Sequence, residues 1–321
     1  MPTSVKLKLI SGRTHPELAK EIARRLHVRL AKVELENFAN GEIACRIEQS
    51  VRGCDVFIIQ THSPNVNDSL IEQALMIDAA KRASARSITA VVPFLGYARQ
   101  DRKSSGREPI AARMVVDFLA RAGADRIMSV DLHSGQIQGF SDGPFDHLVS
   151  MPILMRRIRR IKARKLIIVS PDAGRVKLAE RYASALKCEI AIIHKHRSTA
   201  KRNHAEAKFL IGDVRGKTCV VVDDMIDTGS TLGPAAELLI ENGAKEIYGV
   251  ATHGLFSGPA LERIKGSAFK RIIVTNSVPV PKLPRSAKIE VVSIAPLIAS
   301  AIAAVFEQRS VSAIFKGQNQ V

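Results

Sequence analysis

The sequence predicts an α/β protein made of two related, doubly wound parallel-sheet domains. Short continuous apolar runs alternate with amphipathic helical stretches along the whole chain, the pattern of parallel strands covered on both faces. No low-complexity segment and no long Gly/Ser linker interrupts the alternation. The chain also repeats itself: Gly123-Ala124, Ile127, Val130 and His133 have counterparts in Gly243-Ala244, Ile247, Val250 and His253. Each set reads as helix end, short turn, strand, and histidine at the strand's carboxyl end.

In chain order, helices expected at 15–26, 67–84 and 109–122 interleave with strands Asp55–Gln60, Ile88–Phe94 and Ile127–Leu132. A boundary is expected near Ser150, giving one domain over 1–149 and a second over 150–296. The second opens on a helix at 152–164, where Leu154, Ile158 and Ile161 recur at i, i+4, i+7 and leave the arginines on the other faces. Strand Lys165–Ser170, a helix at 174–187, and strands Ile190–Ile193 and Thr218–Val222 follow. In the next helix, 230–242, Leu232, Ala235, Ala236 and Leu239 share one face and Gly243 is placed to end it. Strands Ile247–Thr252, Ile272–Thr275 and Ile289–Ser293 precede a last helix at 295–308, and 297–321 is set apart as a C-terminal helix and tail.

A chain of 321 residues, 46% of them hydrophobic, is long enough for two ordinary globular domains. It shows neither a bilayer-spanning apolar run nor a signal-peptide pattern. Cys45, Cys54, Cys188 and Cys219 form no C-x-x-C pair and read as reduced thiols, so a cytoplasmic location is expected. The net charge of +17 points to an anionic partner. Six of the nine residues from Arg156 to Arg164 are basic, but aromatics are 4% of the chain and tryptophan is absent. With no recognition-helix or RNP motif, specific nucleic-acid binding is not expected, and the Arg-rich segment reads as a solvated helix face. Phosphorylated small molecules account for part of the charge.

The chemistry concentrates in Val220-Val-Val-Asp-Asp-Met-Ile-Asp-Thr-Gly-Ser-Thr231. Three β-branched residues run into two adjacent carboxylates, then into a hydroxyl- and glycine-bearing loop that opens a helix. Backbone N–H groups at such a turn, with Thr228, Ser230 and Thr231, receive an anion. Asp223 and Asp224 can accept from vicinal hydroxyls or hold a hard cation, and without a ligand or metal they would repel each other. Phosphate beside a diol describes a ribose phosphate. Asp131 and His133, two residues apart at a strand end, are expected to point the same way and to hold a divalent cation or a nucleotide phosphate. The polar stretch Lys195–Lys208 is either a solvated loop or a cationic lid over polyphosphate.

That run resembles the signature of phosphoribosyltransferases and of bacterial-type ribose-phosphate pyrophosphokinases, the makers of phosphoribosyl pyrophosphate. Phe38-Ala-Asn-Gly-Glu42, Tyr97-Ala-Arg-Gln-Asp-Arg102, Gly106-Arg-Glu-Pro-Ile110, Ser129-Val-Asp-Leu-His133, Gln136-Ile-Gln-Gly-Phe140 and Ser170-Pro-Asp-Ala-Gly174 resemble pyrophosphokinase motifs in the same order, from about Leu7 to Phe315. The resemblance implies a phosphoribosyltransferase-like fold with the C-terminal segment packed back on the first domain. It implies transfer of a diphosphoryl group from ATP to the anomeric hydroxyl of ribose 5-phosphate, dependent on Mg²⁺, in a homo-oligomer, by family a hexamer.

By the same resemblance, ATP is bound by Phe38, Asn40 and Glu42, reaching in from a neighbouring subunit, and by Arg99, Gln100, Asp101 and His133. Metal falls to Asp131, His133 and Asp172. Ribose 5-phosphate falls to Asp172, Asp223, Asp224, Asp227, Thr228, Gly229, Ser230 and Thr231. Lys195 and Arg197 act in catalysis, and Ser50, Arg52, Ser84, Ser310, Val311, Ser312 and Phe315 match effector positions. Asp142 and Asp146 match further metal positions, though paired carboxylates in a loop are often merely solvated. Phe38 taken alone would be assigned to the core. Ser230 departs from the family's second glycine and puts phosphate affinity in question wherever positive φ is needed. A non-catalytic regulatory relative and a phosphoribosyltransferase are the alternatives. The former is disfavoured by Lys195, Arg197 and the aspartates, the latter by the ATP motifs.

Overall fold

Alternating strands and helices condense into two units in the computed structural model, which describes residues 5–196, 207–281, 283 and 287–315. The first unit is formed by Met1–Ser150, Ser277–Pro279 and Ser293–Val321, the second by Met151–Asn276 and Val280–Val292.

The first unit runs β1 (Leu7–Ser11), α1 (Pro16–Arg25), β2 (Val33–Asn37), β3 (Ile43–Ile47), β4 (Asp55–Ile59), α2 (Val66–Arg82), β5 (Ser87–Val92), α3 (Ala111–Ala122), β6 (Arg126–Val130) and β7 (Phe145–Leu148). β1, β4, β5, β6 and β7 form an all-parallel sheet in that order, and β2 and β3 stand apart as an antiparallel hairpin. β4 is buried at every residue, which is why Asp55-Val-Phe-Ile-Ile59 reads as continuous apolar sequence after its first position. On the other side of β1, Leu30 makes a single parallel bridge to Leu9. The chain therefore leaves β1 in one direction and returns on its far side as β4, so the strand order reverses between β1 and β4.

The second unit begins with α4 (Met151–Ile158), β8 (Leu166–Ser170), α5 (Val176–Leu186), β9 (Glu189–His196), β10 (Ala207–Ile211) and β11 (Thr218–Ile226). It continues with α6 (Leu232–Glu241), β12 (Glu246–Gly254), α7 (Ala260–Gly266), β13 (Arg271–Thr275) and β14 (Ile289–Val292). Its sheet has the order β10-β9-β8-β11-β12-β13-β14, parallel except for β10 against β9, and reverses direction between β8 and β11. Alternate residues of each strand serve opposite cores. Ile167, Val169, Cys219 and Val221 pack with α6 and α7, whereas Ile168, Val220 and Val222 pack with α4 and α5. All four predicted apolar positions of α6 are buried, and the Gly243 N–H closes the helix on Ile240 O at 2.8 Å.

α8 (Ala295–Phe306) belongs to the first unit and packs against α1. Its small residues Ala295, Ala299, Ala301 and Ala304 are buried beside Leu297, Ile298 and Ile302. The Arg-rich helix is shorter than expected. After Ile158 the chain tightens into a 3₁₀ turn, Arg159–Ile161, and Lys162 ends it at φ 52°. Leu154 and Ile158 are buried as predicted, and the arginines at 156, 159 and 160 are exposed. Among the described residues, no helix is long and apolar enough to cross a membrane.

Candidate active site

The reversal between β8 and β11 creates an opening beyond the strands' carboxyl ends. β8 pairs with β11 only as far as Val169 opposite Val221, whereas β11 continues along β12 to Ile226 opposite Gly254. Asp223 and Asp224 thus sit inside a strand that is longer than the sequence implied, yet past the end of its neighbour β8. Asp172 follows β8 directly and caps the short 3₁₀ turn Ala173–Arg175, its Oδ1 accepting from Gly174 N at 2.9 Å.

The repulsion expected between the two aspartates is answered from within the chain. Arg175 forks across them, with Nε 3.0 Å from Asp223 Oδ1 and a terminal nitrogen 2.8 Å from Asp224 Oδ1. Asp224 is buried and Asp223 half-buried. Burial, then the charge of Asp224, pushes the Asp223 carboxyl well above the usual carboxylate range, and Arg175 pulls against that rise. Sequence reasoning stopped at Gly174 and missed this arginine, although it is the next residue.

The loop Asp227–Thr231 joins β11 to α6 as predicted. Its left-handed residue is Gly229, at φ 68°, and Ser230 is not among the positive-φ residues. Serine at 230 therefore carries no left-handed strain, which removes the basis for doubting the loop on that ground. The Thr228 hydroxyl donates to Ser230 Oγ at 3.2 Å. From α7, Arg263 donates to the Thr228 carbonyl at 2.9 Å, and Ser257 N donates to the Asp227 carbonyl at 3.0 Å. Arg263, too, was not anticipated.

Lys195 was expected in a loop; its backbone lies in β9, opposite Lys208 of β10. The polar stretch therefore begins as a hairpin arm. Arg197 and residues 198–206 lie outside the described residues, so the lid itself is not described.

In the first unit, Asp131 and His133 do not alternate on a pleat. β6 ends at Val130, and Asp131 turns into the left-handed region at φ 38°, a conformation aspartate tolerates better than most side chains. Ser150 N donates to Asp131 Oδ2 at 3.0 Å, and Asp131 N donates to the Leu148 carbonyl at 2.8 Å. Next to it, Leu132 N donates to Nε2 of the buried His147 at 2.9 Å. His133 is half-buried just beyond. Its repeat counterpart, His253, is instead buried within β12, so the repeated pattern does not extend to the histidines. Asp142 and Asp146 also differ from each other. Asp142 is exposed, whereas Asp146 lies in β7 and accepts from Arg126 at 2.7 Å.

Arg99 and Gln100 are exposed and Asp101 is half-buried, in the segment between β5 and α3. Gln136 Nε2 donates to Asp101 Oδ2 at 3.0 Å, so two of the sequence motifs touch. The turn before Arg99 is held by the buried His62, whose Nδ1 accepts from Gly96 N at 3.2 Å while Nε2 faces Gln73 Oε1 at 2.8 Å. Burial lowers the His62 pKa to about 4, keeping the imidazole neutral. Phe38 is not core: it is 60% exposed at the tip of the β2–β3 hairpin, beside exposed Asn40 and Glu42. Asn40 Oδ1 accepts from Glu42 N at 3.1 Å and shapes the tip. Among the effector positions, Ser84 has φ 61° and its carbonyl accepts from Gly53 N at 2.9 Å, which joins the Ser50–Arg52 turn to the end of α2. Ser310 and Ser312 are exposed, Val311 is half-buried and Phe315 is buried.

The chain matches two described families, the N-terminal domain of ribose phosphate pyrophosphokinase over residues 7–123 and the phosphoribosyl synthetase-associated domain over residues 207–316. It is 50% identical over 314 residues to a ribose-phosphate pyrophosphokinase of Streptomyces avermitilis, covering 98% of this chain and 97% of that one. A ribose-phosphate pyrophosphokinase of Bifidobacterium longum is 51% identical over 313 residues, covering 96% and 92% of the two chains. The crystal structure of a phosphoribosylpyrophosphate synthetase from Mycobacterium smegmatis superposes with a TM-score of 0.90 at 49% identity, over 94% of this chain and 99% of that one.

Proposed function

Given that this chain belongs to the ribose-phosphate pyrophosphokinase family, we propose a division of labour among its residues for making phosphoribosyl pyrophosphate and AMP from ribose 5-phosphate and ATP. The enzyme is a ribose-phosphate diphosphokinase: the anomeric oxygen of the sugar bonds to the β-phosphorus of ATP, and the bond from that phosphorus to the α–β bridging oxygen breaks. The anomeric proton passes to solvent, and no side chain stands out as a general base.

In the second unit, Asp227, Thr228, Gly229, Ser230 and Thr231 take the 5-phosphate through backbone and hydroxyl donors at the start of α6. Asp223 and Asp224 accept from the ribose hydroxyls, with Asp172 beside them. Lys195 and Arg197 neutralise charge on the transferring group. In the first unit, Arg99, Gln100, Asp101 and His133 bind ATP, and Phe38, Asn40 and Glu42 reach the ATP of a neighbouring subunit in a homo-oligomer, a hexamer by family likeness. The exposed Phe38 supports that reading, as do exposed Ile110, just before α3, and Met114 and Phe118 within it.

Mg²⁺ fits the donor set. Asp131 and Asp172 are hard oxygen donors, each with one oxygen already anchored by a backbone N–H. Among the described residues no three His, Cys, Asp or Glu side chains converge as a metal cage, which suits an ion that shares its coordination with substrate phosphates and water. Held by Asp131 and His133 in the first unit, and by Asp172 in the second for a separate ion, Mg²⁺ would neutralise and orient the polyphosphate. We further place the enzyme in the cytoplasm, with effectors at Ser50, Arg52, Ser84, Ser310, Val311, Ser312 and Phe315.

The observation that carries the reading is one chain holding both the forked aspartate pair ahead of a phosphate loop and an aromatic-tipped nucleotide hairpin. A phosphoribosyltransferase needs only the first. Incubation with ATP, ribose 5-phosphate and Mg²⁺ should yield AMP and phosphoribosyl pyrophosphate in equal amounts; ADP as the product would refute diphosphoryl transfer.

A further inference from the structure

The strand order of the first unit reverses between β1 and β4, and the crevice there is lined by Arg13, Thr14, Asn37, Asn65, Asp68 and Glu72, with a volume of about 440 Å³. Such a crevice ordinarily receives a ligand. Here it holds an internal ion pair. Glu72 of α2 is buried to 3% exposure and is met by Arg13, which follows β1: Nε lies 2.5 Å from Oε2, and the Arg13 backbone N–H lies 2.7 Å from Oε1. Gln60, at the end of β4, donates to the same Oε1 at 2.7 Å. Three donors on one buried carboxylate fix its position, as a buried charge requires.

Arg13 does not stop at Glu72. Its terminal nitrogen donates to Asn37 Oδ1 at 2.7 Å, and Asn37 Nδ2 donates onward to the Gly41 carbonyl at 3.2 Å. Asn37 is the last residue of β2 and Gly41, at φ 93°, is the turn residue of the hairpin tip. The route from the buried carboxylate to the tip is thus Glu72, Arg13, Asn37, Gly41. We infer that Arg13 and Asn37 are positioning residues for nucleotide binding: they hold the Phe38–Glu42 tip, an exposed loop that among the described residues is otherwise tied only by local bonds, in the shape that receives ATP. This inference rests on the reading that the tip contacts ATP.

The same stretch of α2 serves the other nucleotide motif. Asn67 accepts from the Tyr97 hydroxyl, and Tyr97, at φ 63°, forms the turn that leads to Arg99. One helix therefore anchors both ATP segments of the unit, through Asn67 on one and through Glu72 and Arg13 on the other.

Steady-state kinetics of the full-length oligomer test this. Asn37 is exposed, so Asn37→Ala removes both of its side-chain bonds at little expected cost to folding. It should raise KM for ATP about tenfold, with KM for ribose 5-phosphate and the thermal midpoint unchanged. Arg13→Lys keeps a charge for Glu72 but has no second nitrogen for Asn37, and should give the same ATP-selective change. Phe38→Ala is the control. If it raises KM for ATP while Asn37→Ala and Arg13→Lys do not, the inference is overturned and the reading of the tip stands. If Phe38→Ala also leaves KM for ATP unchanged, that reading fails, and the inference falls with it. Equal rises in both KM values together with a lower thermal midpoint would show a merely structural role and would also overturn the inference.

Discussion

Replacing Arg175 by glutamine removes the cation that lies between Asp223 and Asp224 and leaves two adjacent carboxylates beyond the end of β8. The two contacts, 3.0 and 2.8 Å, are each worth about 6 kcal/mol of attraction at an effective dielectric near 20, before desolvation is subtracted. Removing one partner of a buried ion pair costs about 3–5 kcal/mol. Because Arg175 and Asp223 keep 19% and 21% side-chain exposure, solvent screening brings the expected loss to about 2–3 kcal/mol, at or below the lower limit of that range. For a domain of this size that lowers the thermal midpoint by roughly 5–10 °C.

The pH dependence has a definite sign. Asp223 has a raised pKa in the folded protein and an ordinary one unfolded, so its contribution is most favourable at low pH and is lost as pH rises through the folded value. Arg175 opposes that rise, and without it the folded pKa climbs further. The deficit of Arg175→Gln should therefore widen as pH rises through the folded Asp223 value, above the usual carboxylate range. Adding Asp223→Asn, which leaves a single carboxylate, should recover most of it. Differential scanning fluorimetry across that rise in pH checks both points. A deficit under about 2 °C, or one that does not grow with pH, would mean that the guanidinium does not hold the pair together.

Three further outcomes are expected. Lys195→Ala and Arg197→Ala should each lower kcat while leaving ribose 5-phosphate affinity nearly intact, by about 2–4 kcal/mol of barrier if each contact forms mainly in the transition state; unchanged turnover in both would make the segment an ordinary surface loop. Ser230→Gly should change ribose 5-phosphate affinity less than about tenfold, whereas Gly229→Ala, at φ 68°, should cost about 1–2 kcal/mol of strain and weaken sugar-phosphate binding; calorimetric titration showing the reverse order would place the turn at residue 230 after all. Burial pushes the Cys219 thiol up to about 12 and Cys45 to about 11, so a thiolate-selective reagent at pH 8 should label neither in the native protein and both after denaturation, and rapid native labelling of Cys219 would contradict its buried place in β11.

Most of the strands that proved legible, such as β4, β5 and β8, are buried on both faces, because their apolar runs are continuous. β2 and β3 were missed because a hairpin standing off the sheet has no continuous apolar run; Val33-Glu-Leu-Glu-Asn37 alternates over only four positions. β10 escaped because its apolar residues Phe209 and Ile211 are more than half exposed and follow a charged stretch. In the candidate site, residues carried by a local motif, such as Asp172 and Asp227–Thr231, could be named from sequence. Arg175 could not, because its partners lie 48 and 49 positions away and are brought to it by the pairing of β8 with β11. Phe38 shows the reverse error, since hydrophobicity alone places an aromatic inside and ignores the hairpin that carries it outward. The period-2 argument for Asp131 and His133 failed for a local reason: one left-handed residue ends the pleat that the argument assumed.

The last helix belongs to the first unit, and this bears on how the chain is born. A ribosome releases β1 to β7 early, but the face of α1 that packs on α8 has no partner until residues 295–306 have been made. The Ser293 hydroxyl that donates to Glu21 Oε2 at 2.7 Å, like the Ser277 carbonyl that accepts from Thr61, also arrives late. The unit that starts first therefore closes after the second, and a chain truncated before residue 293 should carry a complete second sheet but leave the α8-facing side of α1 uncovered. Premature stop codons between residues 293 and 306 should then damage the first unit most, with chaperones and proteases meeting the lesion there.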